Sequence, residues 1–277
     1  MTTTLVAIVL AEIVALPLAW KWELGVARAA AALVVLGALS GTVVAVVRTG
    51  ISVSDAAATA FTACGALAGA AGTLLYRFYR NPDRHPPDRE DVVVSPADGK
   101  VIYVRRAEGG LLPVSTKAGR RYALHELTRT GLHSGDATVI GIAMSFLDVH
   151  VNRAPLTGTV VVQRHFAGTF RSLKALDAVF ENERATTVID GRTSQVAVVQ
   201  IASRLVRQIV SRVREGSEVR VGDRIGVIRF GSQVDLVLPV RPDLEVTTQV
   251  GDRLRAGESI VAVFQRVGPT APVSPER

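Results

Sequence analysis

The sequence predicts N-terminal transmembrane helices followed by a mostly-β (α+β) domain of barrel or sandwich type with hairpin-like repeats. Three observations carry this. The first 79 residues of the 277-residue chain hold few charges and long Ala/Val/Leu runs, the charged residues crowd into the remainder, and from residue 91 onward short β-type runs recur between glycine-containing turns. The chain therefore divides into a membrane anchor at 1–80, a linker at 81–90 and a folded domain at 91–277.

In the anchor, residues 26–47 are interrupted only by Arg28 and residues 56–76 carry no charge, so each approaches the roughly 20 residues a spanning helix needs. Residues 5–19 contain Glu12 and Pro17 and are short for a span, which leaves two to three transmembrane helices. They lack the basic start of a cleavable signal peptide and are followed by further apolar runs. Trp20, Trp22, Tyr76 and Tyr79 sit at the ends of the apolar runs, where interfacial aromatics belong. Lys21 and, at the start of the second run, Arg28 stand between the first two spans, Arg48 between the second and third, and Arg77, Arg80, Arg84 and Arg89 follow the third. Cytoplasmic loops carry the Lys/Arg excess, so three spans place the folded domain on the cytoplasmic side of the cell membrane. The net charge of +7 then points to an anionic lipid surface; no basic motif interleaved with aromatics supports nucleic acid. Cys64, the single cysteine, excludes a disulfide within the chain and is expected to be a small packing residue.

Pro82, Pro86 and Pro87 cannot continue a helix and should turn the chain away from the bilayer. Beyond them, β-type runs fall at 92–94, 101–104, 138–144, 158–162, 186–189, 196–201, 225–230 and 234–238, while residues 203–213 carry an ambiguous, helix-like mixture. The run Gly216-Ser-Glu-Val-Arg-Val-Gly222 returns 35 residues later as Gly251-Asp-Arg-Leu-Arg-Ala-Gly257, each followed by an apolar strand. Glycine pairs at this spacing suit tight corners. The pattern is similar to that of biotinyl and lipoyl carrier domains, but a carrier needs a modifiable lysine at a hairpin tip, and no lysine occurs after Lys174. Residues 105–136 hold a basic stretch with His125 and His133, which reads as a solvated loop or a lipid-facing excursion. The two histidines lack a third ligand at a familiar spacing, so no metal site is expected.

The chemistry concentrates at Ile225-Gly-Val-Ile-Arg-Phe-Gly231-Ser232-Gln-Val-Asp-Leu-Val-Leu-Pro239, where a small flexible peptide and a hydroxyl stand between two stiff runs. A serine hydroxyl needs a base to become a nucleophile, and a histidine oriented by a carboxylate is such a base. His150 and Asp98 are the candidates, although three residues so far apart in sequence do not by themselves define a triad.

Their surroundings do more. Ser95-Pro96-Ala97-Asp98-Gly99, Phe146-Leu147-Asp148-Val149-His150-Val151-Asn152-Arg153-Ala154-Pro155 and the Gly231-Ser232 segment together resemble the phosphatidylserine decarboxylase family, its compact type, with an archaetidylserine decarboxylase-like character left open. Phe78-Tyr79-Arg80-Asn81-Pro82-Asp83-Arg84 is similar to that family's junction between its membrane-associated end and its catalytic part, and Glu181-Asn182-Glu183-Arg184, Gln200-Ile201-Ala202 and Glu215-Gly216 also match.

The resemblance implies a proenzyme cut between Gly231 and Ser232, with Ser232 converted to a pyruvoyl group, His150 as base and Asp98 as its orienter. It implies decarboxylation of phosphatidylserine to phosphatidylethanolamine through a Schiff base on that group, and two pieces, 1–231 and 232–277, that remain associated. His165 could contact the lipid phosphate; Asn152 and Arg153 are weaker substrate candidates. Two positions depart from the pattern. Leu147 stands where longer members have a second histidine, and Phe146 where compact members have proline. Two other readings compete: a membrane-tethered carrier-like binding module without catalysis, and a lipid-ester serine hydrolase, which would lack its usual Gly-x-Ser-x-Gly elbow. Lipid backbone type and homo-oligomerisation stay open.

Overall fold

The computed structural model describes residues 2–22, 24–113, 121–123, 128, 135–168, 181–202, 208–229 and 232–265. The chain forms two compact units, one of residues Met1–Arg80 with Ser145–Asp148, the other of Asn81–Met144 with Val149–Arg277.

In the first unit three helices, α1 (Thr2–Lys21), α2 (Val26–Val47) and α3 (Asp55–Tyr79), are each long and apolar enough to cross a membrane. The first apolar run thus extends past 5–19 at both ends into a full-length helix, with Pro17 inside it. The Ser54 hydroxyl caps α3 by accepting from the Ala57 N–H at 3.3 Å. Small residues bring the helices together. Gly37 and Gly41 of α2 meet Ile8 and Thr4 of α1, and Gly65 and Gly69 of α3 meet Ser40 and Leu36 of α2; a Cβ at Gly41 would lie 2.6 Å from the Thr4 side chain. Two glycines four apart present one face of a helix, so each pair opens a groove for its neighbour, the packing used where lipid removes any hydrophobic drive to associate. Leu5, Val9, Ile13, Val35, Leu39, Val43 and Phe61 point outward, which suits hydrocarbon. Cys64 lies on this outer surface of α3 rather than in the packing, because the inward positions of that turn are taken by Thr62, Ala63 and Ala66.

The second unit is antiparallel β. Its strands are β1 (Val92–Val94), β2 (Gly99–Ala107), β3 (Leu111–Pro113), β4 (Arg121–Ala123), β5 (Ala137–Met144), β6 (Val151–Arg153), β7 (Gly158–Phe166), β8 (Arg184–Gly191), β9 (Gln195–Ala202), β10 (Gln208–Ser211), β11 (Glu218–Val219), β12 (Arg224–Arg229), β13 (Ser232–Pro239), β14 (Leu244–Val246), β15 (Arg253–Leu254) and β16 (Ile260–Phe264). An eight-stranded sheet runs β11-β7-β8-β9-β13-β5-β2-β15, smaller sheets run β10-β12-β6 and β1-β16-β14, and β3 pairs with β4. The described part of the helix-like stretch 203–213, residues 208–213, holds the strand β10, in which Ile209 is buried. Of residues 105–136, the ends of β2, the β3–β4 ribbon and Thr128 are described; His125, His133 and Lys117 lie outside the described residues.

Alternation along β13 builds two cores. Val234, Leu236 and Leu238 join Ile140, Ile142 and Val198 on one face, and Val237 joins Val139 and Val199 on the other. Truncating Leu236, fully buried in a central strand, to Ala would cost about 2–5 kcal/mol. The repeated glycines 216, 222, 251 and 257 all have positive φ, 84°, 83°, 104° and 76°, so the paired corners are real local geometry. The strands that follow them go to different partners, β11 to β7 and β12 to β6 and β10, but β15 to β2 and β16 to β1 and β14.

Candidate active site

β12 ends at Arg229, paired with Gln208 of the small sheet, and β13 opens at Ser232, paired with Met144 on one side and Ala202 on the other. Between them stand Phe230 and Gly231, which lie outside the described residues. Within two residues the chain passes from one sheet to the next, and both arms are fixed by ladder hydrogen bonds.

His150 immediately precedes β6 and is 1 % exposed. Its carbonyl accepts from the Ile228 N–H at 3.2 Å, which ties the histidine backbone to the end of β12. Asn152, two residues on, is buried and accepts from Gln200 Nε2 at 2.7 Å, while its amide donates to the Pro96 carbonyl. The same carbonyl accepts from the Arg153 N–H at 2.9 Å. The loop that bears Asp98 and the strand that follows His150 are therefore neighbours.

Asp98 is buried, and its carboxylate is held elsewhere. Arg84 Nη2 donates to both oxygens, at 2.9 and 2.8 Å, and the Ala256 N–H donates to Oδ1 at 2.7 Å. Among the described residues, the hydrogen-bond partners of the Asp98 carboxylate are thus Arg84 and Ala256. Arg84 also reaches Glu258 at 3.2 Å, and the His85 N–H donates to the same carboxylate. Arg153 donates to the carbonyls of Gly222 and Pro82, each at 2.8 Å, and Arg224 reaches Asn81 and Asp83 at 3.1 Å. Residues 81–85 are thus a strap bound to the β domain. Asn152 and Arg153 spend their described side-chain bonds inside the protein, whereas His165 on β7 has a half-exposed side chain and contacts Glu183 Oε1 at 2.8 Å.

A second polar cluster was invisible in the sequence. Tyr103, Gly141 and Asp235 stand abreast on β2, β5 and β13. Gly141 has no Cβ to block the Tyr103 ring, which lies over it. The Tyr103 hydroxyl donates to Asp235 Oδ2 at 2.7 Å, and Gln233 Nε2 donates to Asp235 Oδ1 at 2.7 Å. Burial pushes the Asp235 carboxyl up to about 6, against the lowering effect of those two donors and of Arg105 and Arg184. Burial and the facing Asp235 likewise push the Tyr103 hydroxyl well above its ordinary value. Arg84 was also missed as a site residue; its signal is the Asn81-Pro82-Asp83-Arg84 string, read only as a junction.

The departure at 146 acquires a local reason. Ser145–Asp148 packs with the helical unit. The Phe146 ring stacks on Trp22 with centroids 5.5 Å apart and meets Phe78 at 5.2 Å, and Arg80 Nη2 donates to the Leu147 carbonyl at 3.0 Å. Proline at 146 would offer no aromatic ring to Trp22.

Three long apolar helices joined to a β domain that carries a buried histidine and a buried acid on adjoining segments are compatible with a membrane-associated enzyme. The phosphatidylserine decarboxylase family model matches residues 72–262, and the chain belongs to that family. It is 41% identical over 191 residues to a putative archaetidylserine decarboxylase proenzyme of Methanothermobacter thermautotrophicus, covering 69% of this chain and 81% of that one. It is 37% identical over 188 residues to a phosphatidylserine decarboxylase proenzyme of Geobacter sulfurreducens, covering 68% and 76%. A putative archaetidylserine decarboxylase proenzyme of Methanopyrus kandleri is 39% identical over 201 residues, covering 72% and 85%. These relatives favour neither the binding module nor the lipid-ester hydrolase.

Proposed function

We propose that this protein decarboxylates the serine headgroup of phosphatidylserine, giving phosphatidylethanolamine, after cutting its own chain between Gly231 and Ser232. The observation that carries the reading is the position of that step at the β12–β13 junction in a chain of this family. Ser232 Oγ attacks the Gly231 carbonyl carbon, its proton passes to His150, and the peptide nitrogen is displaced, leaving an ester. Elimination releases the Gly231 carboxylate, and the dehydroalanine left at 232 hydrolyses to a pyruvoyl group with loss of ammonia. Asp98 serves as the orienter; because its carboxylate is engaged by Arg84, its influence on His150 runs through the placement of the Pro96 to Gly99 loop against β6 or requires Arg84 to yield.

The surroundings fit a group at the head of β13. That strand pairs along its length with β5 and along most of it with β9, so a chain end created at 232 stays anchored from both sides. β15 and β16 pair with β2 and β1, which supports lasting association of the two pieces. When formed, the pyruvoyl group supplies a ketone for the substrate amine and an adjoining carbonyl that accepts electrons as carbon dioxide leaves. His150 returns a proton to the substrate carbon, and His165, braced by Glu183, contacts the phosphate. The three helices anchor the enzyme in the cell membrane, and the Arg/Lys distribution supports a cytoplasmic β domain. Intact mass of the purified protein tests the reading: two pieces are expected, the smaller comprising residues 232–277 with its first residue lacking the amine, and a single active, uncut chain would overturn it.

A further inference from the structure

The helical unit encloses a cavity of about 530 Å³, within the range of roughly 300–1,000 Å³ typical of ligand sites. Its walls are apolar, among them Leu18 of α1, Leu33 and Leu36 of α2, and Leu67 and Leu74 of α3. Two arginines line it as well, Arg28 near the start of α2 and Arg77 near the end of α3. α2 runs opposite to α3, so both arginines stand at one end, together with Trp22 and Leu147. From Arg28 to Leu36 and from Leu67 to Arg77 the helices rise about 12 and 15 Å. That is half of a hydrocarbon core about 30 Å thick, the depth of a single leaflet.

Arg28 and Arg77 are exposed at helix ends. Among the described residues neither forms an ion pair, and the Arg28 guanidinium lies over the Gly25 turn, where a Cβ would meet its Nε at 2.9 Å. At headgroup level such cations can meet the anionic groups of a lipid. The wall and the mouth together ask for a molecule with one long apolar chain and two negative groups beside it at headgroup level.

We infer that the three-helix cavity is a holding site for the substrate lipid, with one acyl chain of phosphatidylserine between the helices and its phosphate and carboxylate on Arg28 and Arg77. The identity of the occupant rests on the proposed decarboxylation; the existence of the site does not. Loss of the carboxylate removes one of the two ionic contacts, so the same site holds the product less well than the substrate.

Trp22 in the cavity wall provides the probe. The full-length Ser232→Ala chain, which consumes no lipid, carries Trp20→Phe so that Trp22 alone reports, and is reconstituted in phosphatidylcholine vesicles containing phosphatidylserine with brominated acyl chains. Saturable quenching is expected, half-maximal at a mole fraction roughly fivefold lower than for brominated phosphatidylglycerol or phosphatidylethanolamine, the difference one charge-assisted contact makes. Arg28→Gln with Arg77→Gln should bring the phosphatidylserine curve to that of the other lipids, and Ala70→Phe should abolish saturation by filling the cavity. Quenching that rises linearly with mole fraction for every headgroup would overturn the site. Equal saturable quenching by phosphatidylserine and phosphatidylglycerol would overturn its assignment to the substrate. Selective binding by a chain whose wild type neither cuts itself nor decarboxylates would leave the cavity standing and sink the proposed reaction, so the two failures are separable.

Discussion

Arg84 clamps both carboxylate oxygens of Asp98, with a side chain 3 % exposed against one 10 % exposed. Removing one member of such a pair leaves a buried charge without its counterpart, at a cost of about 3–5 kcal/mol. Arg84→Ala should therefore lower the melting temperature and slow self-cleavage, while Asp98→Asn, which leaves Arg84 its bond to Glu258, should mature slowly rather than never. A melting curve and a timed gel of precursor and product check both. Equal maturation rates in wild type and both variants would remove Asp98 from the site.

Ser232→Ala should remain a single chain with no decarboxylation, because the attacking oxygen is gone. His150→Ala should also stay uncut and therefore inactive, its self-cleavage slowed by about 10²–10⁴-fold, the scale on which loss of a general base acts. Should His150→Ala mature at the normal rate and lose only decarboxylation, another residue is the base for cleavage.

Asp235 gives the fold a pH dependence. The folded chain holds the Asp235 proton more tightly than the unfolded chain, so this group's stabilising contribution is full below the ordinary carboxylate range and is lost as pH rises through about 6. The shift corresponds to about 3 kcal/mol. Asp235→Asn, which cannot ionise, should melt higher relative to wild type at pH 8 than at pH 4. A gap that stays constant with pH would contradict the assignment.

The position of the β domain relative to the bilayer is expected to follow the arginines. Protease added outside intact cells should leave residues 81–277 untouched. Digestion from outside would reverse the orientation without touching the chemistry.

Much of this was legible beforehand because period and composition write directly into the chain. The charge-poor runs gave the helices to within a few residues, and the β-type runs gave most of the long strands. What escaped depends on contacts between distant positions. Nothing local in Gly141 announces that Tyr103 and Asp235 meet across it, since that follows from the registers of β2, β5 and β13. Gly37 with Gly41 and Gly65 with Gly69 were readable as a packing pattern but vanish in a run already full of alanine. Arg84 sat in a proline-rich stretch read as a linker turning away from the bilayer, whereas its burial comes from the Asp98 and Glu258 partners that composition does not reveal. Residues 208–211 mixed polar and apolar residues in a way that fits either period over so short a length.

The central seat of β13 also changes what unfolding means for this molecule. A precursor that melts is one chain and returns along a path independent of concentration. With the peptide before Ser232 cut as proposed, the same melt would set free two chains, one supplying β1 to β12 and the other β13 to β16, and the eight-stranded sheet could close again only by a bimolecular encounter. The proposed cut would fix a one-to-one stoichiometry without any assembly step, and would make the mature enzyme a pair of unequal parts that dilution after denaturation would strand.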